Sequence, residues 1–328
     1  MGHGSYQASD WTKLKNSRGL INASNSGEIF QNKKLADKFD PKLTECRESC
    51  DSTDSPESTP IIIGFDVTVS MGYLAAEIAK NSLNKTVTEI YDKQPVTNPH
   101  IMCAPFTGPD TNAPLQVSQF EADIRIVEQL LDMWVGFGGN TYSYDSLVWY
   151  FAAKHTKIDS YEKRRKKGFL FCIGDEICGG DNDILTKEHV KKIYDDDIDK
   201  DLTLSELLKS VSEKYEVFHI VTKNRENNAY KTWNDFMPGR VAELDANNIQ
   251  YLGEVIISIL QIANGKSKSA VVSQWEESCQ DIIEKAVFNI LNKDNIPMPA
   301  KTPINQELSA KVIEEDSKKG FFRRIFGK

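Results

Sequence analysis

The chain has 328 residues, 40% of them hydrophobic and 27% charged, which is typical of one large or two ordinary globular domains and excludes a disordered protein. The net charge of −8 argues against a general nucleic-acid-binding protein, because phosphate contacts need a basic surface. The sequence has no uninterrupted apolar run of about 18 residues and begins without a secretory signal pattern, so we predict a cytoplasmic protein.

Residues 1–59 are mostly polar, and we predict that they form an N-terminal arm and linker. The stretch ECRESCDSTDSPESTP (45–60) is rich in Ser, Thr, Glu, Asp and Pro, a composition that buries little apolar surface. The character of the sequence changes at residue 60. From there to residue 265 we predict a folded domain.

Short apolar runs alternate with segments of helical spacing throughout residues 60–265. The predicted strands begin at Ile61 and continue at 100–108, 114–120, 169–175, 215–222 and 240–245. The predicted helices cover 71–93, 123–134, 141–156, 184–195, 203–214 and 248–264. Strands separated by helices pair in parallel. We therefore predict an α/β fold with a doubly wound, mostly parallel sheet, one antiparallel edge strand and helices on both faces.

Oxygen-bearing side chains follow the ends of several predicted strands. Asp66, Thr68 and Ser70 alternate after the first strand, so their side chains point the same way in an extended segment. Thr141 follows the glycine-rich segment GFGGN, and Asp175 ends the strand FLFCIG. The carboxyl ends of parallel strands meet at one edge of the sheet. Carboxylate and hydroxyl oxygens suit Mg²⁺ or Mn²⁺, so the five residues predict a divalent-metal site.

The pattern resembles the von Willebrand factor A domain and its metal-ion-dependent adhesion site. That family has Asp-x-Ser-x-Ser after its first strand, a Thr before a middle helix and an Asp after its fourth strand. Here the first motif is DVTVS, with Thr68 in place of the first Ser. Thr141 in GGNT and Asp175 in CIGDE match the other two elements, although Ser143 competes with Thr141 for the second role. The resemblance covers residues 61–265, about two-thirds of the chain.

The resemblance implies recognition rather than catalysis. An acidic side chain of a protein partner would replace a water molecule on the metal, and the protein would act as an intracellular scaffold or adaptor of bacterial or phage type. The resemblance implies that such members work beside ATPases of the MoxR type or in stress and tellurite-resistance systems, and a MoxR-type ATPase system is one expected partner.

Two alternatives to this interpretation remain open. The first is a metal-dependent hydrolase or phosphotransferase that uses Asp66 as nucleophile or ligand. The sequence offers no second Asp two residues after Asp66 and no legible catalytic base. The second is that Asp66 caps a helix and Asp175 lies in an ordinary turn.

A second acidic pattern lies at residues 195–206. Asp195, Asp197, Asp199 and Glu206 take positions 1, 3, 5 and 12 of an EF-hand calcium loop. Lys200, however, stands where the loop needs glycine. We therefore expect a solvated acidic loop and no Ca²⁺ site.

After a predicted C-terminal helix (266–296), residues 297–328 form a Pro-containing spacer and a basic amphipathic tail. The apolar face of the tail consists of Phe321, Phe322, Ile325 and Phe326. It is surrounded by Lys318, Lys319, Arg323, Arg324 and Lys328. The tail resembles the C-terminal membrane-targeting helix of the MinD family of Min-system ATPases. It predicts contact with an anionic membrane, which would place the protein at the inner membrane surface as a tethered structural protein, or docking in a partner's groove. An inert tail is the third alternative.

Overall fold

A parallel sheet forms the centre of the protein. The computed structural model describes residues 8–19, 26–30, 32–53, 55–71, 74, 77–78, 83–135, 142–223 and 227–295. Within them the strands are β1 (Arg47–Ser49), β2 (Thr59–Asp66), β3 (Pro99–Phe106), β4 (Thr156–Ile158), β5 (Gly168–Gly174), β6 (Tyr215–Lys223) and β7 (Val241–Asp245). Five of these pair in parallel in the order β3-β2-β5-β6-β7, and β1 pairs with β4 in a separate parallel ribbon.

Helices connect the strands and cover the sheet. They are α1 (Ala8–Ser17), α2 (Ser26–Ile29), α3 (Leu83–Lys93), α4 (Arg125–Leu131), α5 (Asp145–Lys154), α6 (Asp159–Arg164), α7 (Lys187–Tyr194), α8 (Leu204–Val211), α9 (Ala229–Phe236), α10 (Leu252–Ala263), α11 (Lys268–Val272) and α12 (Glu277–Ala286). Short 3-10 helices lie at Asp37–Phe39, Pro41–Leu43, Val69–Met71, Gly180–Asn182, Ala246–Tyr251 and Lys293–Asn295.

Apolar residues pack on both faces of the sheet, and neighbouring residues of one strand contribute to opposite faces. Ile61 and Ile63 of β2 lie in a cluster that includes α3, α4, α10 and α12. Ile62, between them, lies in a second cluster with α5, α7, α8 and α9. Because a strand alternates its side chains between two faces, this split is the pattern of a doubly wound sheet. The predicted α/β fold with helices on both faces is confirmed.

The predicted antiparallel edge strand is not formed in the described part of the chain. The segment 114–120, which the sequence predicts as a strand, lies beside β3 and, with Glu121, makes only isolated antiparallel bridges to it. The Cys103 amide donates to the Ser118 hydroxyl instead of a carbonyl. Pro105 in β3 has no amide hydrogen to offer. Both features interrupt the ladder that a regular edge strand needs.

Parts of the predicted N-terminal arm pack against the domain. The side chains of Trp11, Phe30 and Phe39 belong to the first apolar cluster. Residues 47–49, inside the predicted linker, form β1 and pair with β4. The boundaries at 1–59, 60–265, 266–296 and 297–328 stay predictions.

The C-terminal helical region differs from the single helix expected over 266–296. It consists of α11 and α12, and the chain turns between them at Trp275. That side chain is buried, and its indole donates to the Ser258 hydroxyl of α10 at 2.9 Å. Anchoring this ring against α10 interrupts the helix.

Candidate metal centre

Asp66 is the last residue of β2 and is fully buried. Its Oδ1 accepts a hydrogen bond from the backbone amide of Thr68 at 2.7 Å, which closes a tight turn after the strand. Its Oδ2 is also buried but has no hydrogen-bond partner in the described part of the chain. A buried carboxylate oxygen without a donor is costly, so this atom requires an explanation.

Asp175 approaches Asp66 from the neighbouring strand. It directly follows β5, and the register pairs Phe65 of β2 with Ile173 of β5. A Cβ added at Gly174 would lie 3.5 Å from the Asp66 Cβ and 3.8 Å from its Oδ2. These are ordinary van der Waals distances, which shows that the backbone before Asp175 lies directly beside the Asp66 side chain. Asp175 is itself 1% exposed, so two acidic side chains are buried at adjacent strand ends.

The order of the strands explains why this position is suited to binding. The chain leaves β2 towards β3 on one side and leaves β5 towards β6 on the other. Loops that diverge in this way open a crevice at the carboxyl ends of the two strands, where ligands of α/β sheets bind. Asp66 and Asp175 stand at this crevice.

Two hydroxyl groups contact the Asp66 carboxyl. The side chains of Thr68 and Ser143 lie close enough to the carboxyl to lower its pKa, and both residues are buried. Ser143, the sequence competitor of Thr141, is therefore brought to the site. Thr141 lies outside the described residues. Ser70 belongs to the 3-10 helix Val69–Met71.

The surroundings of Asp66 disfavour its negative charge. Burial is the main cause that raises the pKa of this carboxyl, and the nearby charge of Asp175 raises it further. The hydrogen bonds from Thr68 and Ser143 lower the pKa only in part, so the value rises to about 7. In the absence of a cation, the site therefore favours a proton on Asp66 near neutral pH.

Helix α5 brings Ser143 to the site by packing closely on β2. A Cβ at Gly64 would lie 3.1 Å from Val148 Cγ2, so glycine at this position permits the contact. Asp145, the first residue of α5, accepts a hydrogen bond from His219 Nδ1 at 3.0 Å. The ring of His219 stacks on Trp233 with a centroid separation of 4.0 Å. This buried pair fixes the start of α5 relative to β6.

Two polar side chains that the sequence did not single out fix the turn after β5. Asn227 Nδ2 donates to the Asp175 carbonyl at 2.9 Å. The Thr222 hydroxyl donates to the Gly174 carbonyl at 3.2 Å. The sequence could have predicted Thr222 as a residue of this region, because it lies near the carboxyl end of β6. Asn227 was not, since it follows that strand in an irregular segment.

Acidic residues of the predicted loop at 195–206 form local hydrogen bonds and ion pairs. Glu206 forms a capping box with Thr203 at the start of α8, and Lys191 pairs with Asp195 and Asp197. Within the described ranges, no group of three or more His, Cys, Asp or Glu side chains is arranged to hold a metal ion. The predicted site contains two such residues, Asp66 and Asp175, and its other donors are hydroxyls.

No family model matches the sequence, and a comparison with curated proteins gave no match. Solved structures do match. The open conformation of the pilus adhesin SpaC from Lactobacillus rhamnosus GG is 9% identical over 66% of this chain and 31% of the adhesin, with a TM-score of 0.40. A von Willebrand factor type A structure from Catenulispora acidiphila is 12% identical over 66% of this chain and 44% of its own, with a TM-score of 0.34.

The chain thus spans less than half the length of each of these two structures. The second structure carries the name of the domain type that the sequence resembles. The five-stranded parallel sheet with helices on both faces is by itself a doubly wound α/β fold.

Proposed function

We propose that this protein binds a divalent cation, Mg²⁺ or Mn²⁺, through Asp66, Thr68, Ser70, Thr141 and Asp175. The observation that carries the proposal is the buried Asp66 Oδ2, which lacks a hydrogen-bond partner in the described chain and lies beside the adjacent strand end that leads to Asp175. A cation at this place would supply the missing partner. It would also offset the burial of the Asp66 carboxylate and, to a smaller degree, the repulsion from Asp175, which otherwise favour a proton on Asp66.

The chemistry of the donors determines which ions fit. Carboxylate and hydroxyl oxygens are hard ligands, which suit Mg²⁺ and Mn²⁺ better than soft metals. Two ionised carboxylates that both bind the ion directly would cancel its two positive charges. An ion held partly through hydroxyls and water keeps a site for one further anionic oxygen.

We propose that this further oxygen comes from an acidic side chain of a protein partner, and that the protein acts as a scaffold or adaptor without catalysing a reaction. The side chains of Thr68 and Ser143, which lower the pKa of Asp66, carry hydroxyl groups, and neither is a base at neutral pH. Such an arrangement supports holding an ion and a ligand. A MoxR-type ATPase system is the partner class that the sequence resemblance suggests.

Calorimetric titration with Mg²⁺ and Mn²⁺ tests the metal site. We expect Asp66→Ala to weaken binding by at least about 100-fold, because it removes a direct ligand. Asp183→Asn is the matched control: this acid lies on the loop after β5, and its carboxylate accepts from the Gly179 amide at 2.8 Å. Equal affinity in wild type and Asp66→Ala would refute the site.

The catalytic alternative is tested with the same variants. Phosphatase and nucleotidase substrates are incubated with wild type and Asp66→Ala in Mg²⁺. We expect no turnover above the level of the variant. Robust turnover that disappears in Asp66→Ala would replace the adaptor function with that of a metal-dependent hydrolase or phosphotransferase.

The role of the C-terminal tail is a separate proposal, because residues 317–328 lie outside the described residues. None of the described helices is both long and apolar enough to cross a membrane. We propose that the tail binds an anionic membrane surface, on the basis of its basic and apolar sequence. In flotation with anionic liposomes, the full chain should float and a chain lacking 317–328 should not. Equal flotation would remove this role and favour a partner groove or an inert tail.

A further inference from the structure

Two exposed apolar side chains belong to residues that adjoin the candidate metal centre along the chain. Val69 is 63% exposed and Tyr142 is 37% exposed, and both are among only six large hydrophobic residues with such exposure in the described chain. Val69 is bonded to Thr68, and Tyr142 to Ser143. Thr68 and Ser143 both act on the Asp66 carboxyl. Each exposed side chain therefore belongs to the residue next in sequence to one of these two hydroxyl residues.

These apolar groups are held in place. The Tyr142 hydroxyl donates to the Ile177 carbonyl at 2.8 Å, so its ring spans from the segment before α5 to the segment after β5. Tyr144 packs edge-on against it, with ring centroids 6.4 Å apart. Val69 stands on a turn closed by the Met71 amide, which donates to the Thr68 carbonyl at 2.9 Å. A fixed aromatic or branched side chain loses little entropy when a partner covers it.

The charges of the same segments restrict the partner's chemistry. Residues 66–71, 142–145 and 175–178 contain no Lys or Arg, and they contain Glu176. Lys223, the last residue of the neighbouring strand β6, is a single cation and not a cluster. A phosphate or polyanionic partner is normally recognised by clustered Arg or Lys side chains. A single carboxylate, held by a metal ion and surrounded by apolar contacts, fits this surface better.

We propose that the partner segment recognised here carries one acidic side chain with a bulky apolar side chain one or two residues away from it. The acid would bind the metal, and the apolar neighbour would cover Val69 and the Tyr142 ring. This inference rests on the proposed function, because it needs the metal to hold the acid. It adds that the apolar contacts, rather than further charges, select among acidic segments.

Selection from a displayed library of random linear peptides tests this inference on the full-length protein. Peptides are bound in Mg²⁺ and eluted with EDTA. We expect the eluted pool to be enriched in sequences with a single Asp or Glu next to Leu, Ile, Phe, Tyr or Trp. Enrichment of acids without apolar neighbours would overturn the inference and leave the metal-binding proposal intact. An eluted pool without enriched acids would overturn this inference together with the proposed acidic partner, whereas metal binding itself is tested by the calorimetric titration.

Substitutions then locate the apolar contact. With a synthetic peptide of the selected sequence, we expect Val69→Ser to weaken binding about five- to tenfold, because one exposed apolar side chain is no longer covered. Replacing the peptide's apolar residue by Ser should weaken wild type equally and should weaken Val69→Ser little further. Phe288→Ser is the matched control, because Phe288 is 70% exposed and lies after α12, in another part of the sequence. Additive losses in the double change, or an equal loss in Phe288→Ser, would contradict the proposed contact.

Mg²⁺ affinity measured without peptide separates this contact from the metal centre. We expect Val69→Ser to bind Mg²⁺ as wild type does, since its side chain is not a proposed ligand. A parallel loss of Mg²⁺ affinity would show that Val69 acts on the metal site itself, which would overturn its assignment as a contact for the partner.

Discussion

Two acidic residues lie at opposite edges of the sheet, one at the edge where the parallel strands begin and one at the edge where they end. Their surroundings differ. Asp51 precedes β2, at the edge where the parallel strands begin, and Asp66 ends the same strand. The Asp51 carboxylate accepts hydrogen bonds from the Ser58 amide and hydroxyl, each at 2.9 Å, and forms an ion pair with Arg164. Asp66 has one amide donor on Oδ1, hydroxyl contacts from two residues, and a buried Oδ2 without a partner in the described chain.

Their pKa values shift in opposite directions for this reason. Burial alone would raise the pKa of Asp51, but the hydrogen bonds from Arg164 and Ser58 outweigh it and lower the value. At Asp66 burial dominates and raises the pKa to about 7. The Asp51 carboxylate thus finds its hydrogen-bond partners within the protein, whereas Asp66 Oδ2 has no partner in the described chain. The first arrangement stabilises the fold, and the second is typical of a binding site.

The largest expected effect is at Asp51. Replacing it with Ala removes the ion pair and both hydrogen bonds from Ser58, and it leaves the Arg164 guanidinium without its carboxylate. We expect the free energy of unfolding to fall by about 3 kcal/mol, measured by urea denaturation in EDTA. Mg²⁺ affinity of the folded variant should be unchanged. A loss below about 0.5 kcal/mol, the range of ordinary surface substitutions, would show that the two edges do not differ as described.

The second prediction concerns the pH dependence of the metal-free protein. The folded state holds a proton on Asp66 up to a pH of about 7, whereas the unfolded chain releases it near its usual pKa of about 4. Raising the pH through this window therefore lowers the free energy of unfolding, by about 2 kcal/mol after allowance for relaxation of the site. Below the unfolded pKa this contribution is fully present, and above pH 7 it is lost.

The variant Asp66→Asn isolates this effect because it cannot ionise. In EDTA, its unfolding free energy should lack that decline between pH 5 and 8, and the variant should be more stable than wild type at pH 8. Saturating Mg²⁺ should restore wild type at pH 8 and leave the variant unaffected. Identical pH profiles of the two proteins would contradict the shift of Asp66.

The fold was more accessible to sequence reasoning than the details of the site. Apolar runs such as IIIGF and FLFCIG appear as β2 and β5 because buried parallel strands need continuous apolar residues. The alternation of strands with helices then determined the parallel pairing. The edge segment 114–120 was mistaken for a strand, because its alternating pattern does not show that Pro105 and the Ser118 hydroxyl interrupt the ladder.

The candidate site was predicted in part. Asp66 and Asp175 could be placed together, since both follow strands of one parallel sheet. The contact of Ser143 with Asp66 depends on how closely α5 packs at Gly64, which is a tertiary distance that spacing along the chain does not contain. The same limit applies to residues 45–60. Their polar composition suggested a linker, yet Asp51, Ser49 and Ser55 find partners across the domain.

The smallest predicted effect lies at His100, which completes the comparison of the two edges. His100, in the second position of β3, bonds to the Ser49 hydroxyl through Nδ1 and to the Ser55 hydroxyl through Nε2, each at 3.0 Å. Burial lowers the pKa of this imidazole. The unfolded chain therefore takes up a proton that the folded state resists, and stability is lost as the pH falls below the usual value of about 6.5.

Acid should therefore weaken the edge that holds Asp51 and His100, in the direction opposite to its effect at Asp66. We expect Ser55→Ala to lower the free energy of unfolding by about 1 kcal/mol at pH 8, because it removes one partner of a buried ring nitrogen. His100→Asn should lose less stability than wild type between pH 7 and 5, measured by urea denaturation in the Asp66→Asn background, where Asp66 no longer contributes. Parallel losses in both proteins would mean that His100 does not titrate differently in the folded and unfolded states, and the opposition between the edges would then rest on the two aspartates alone.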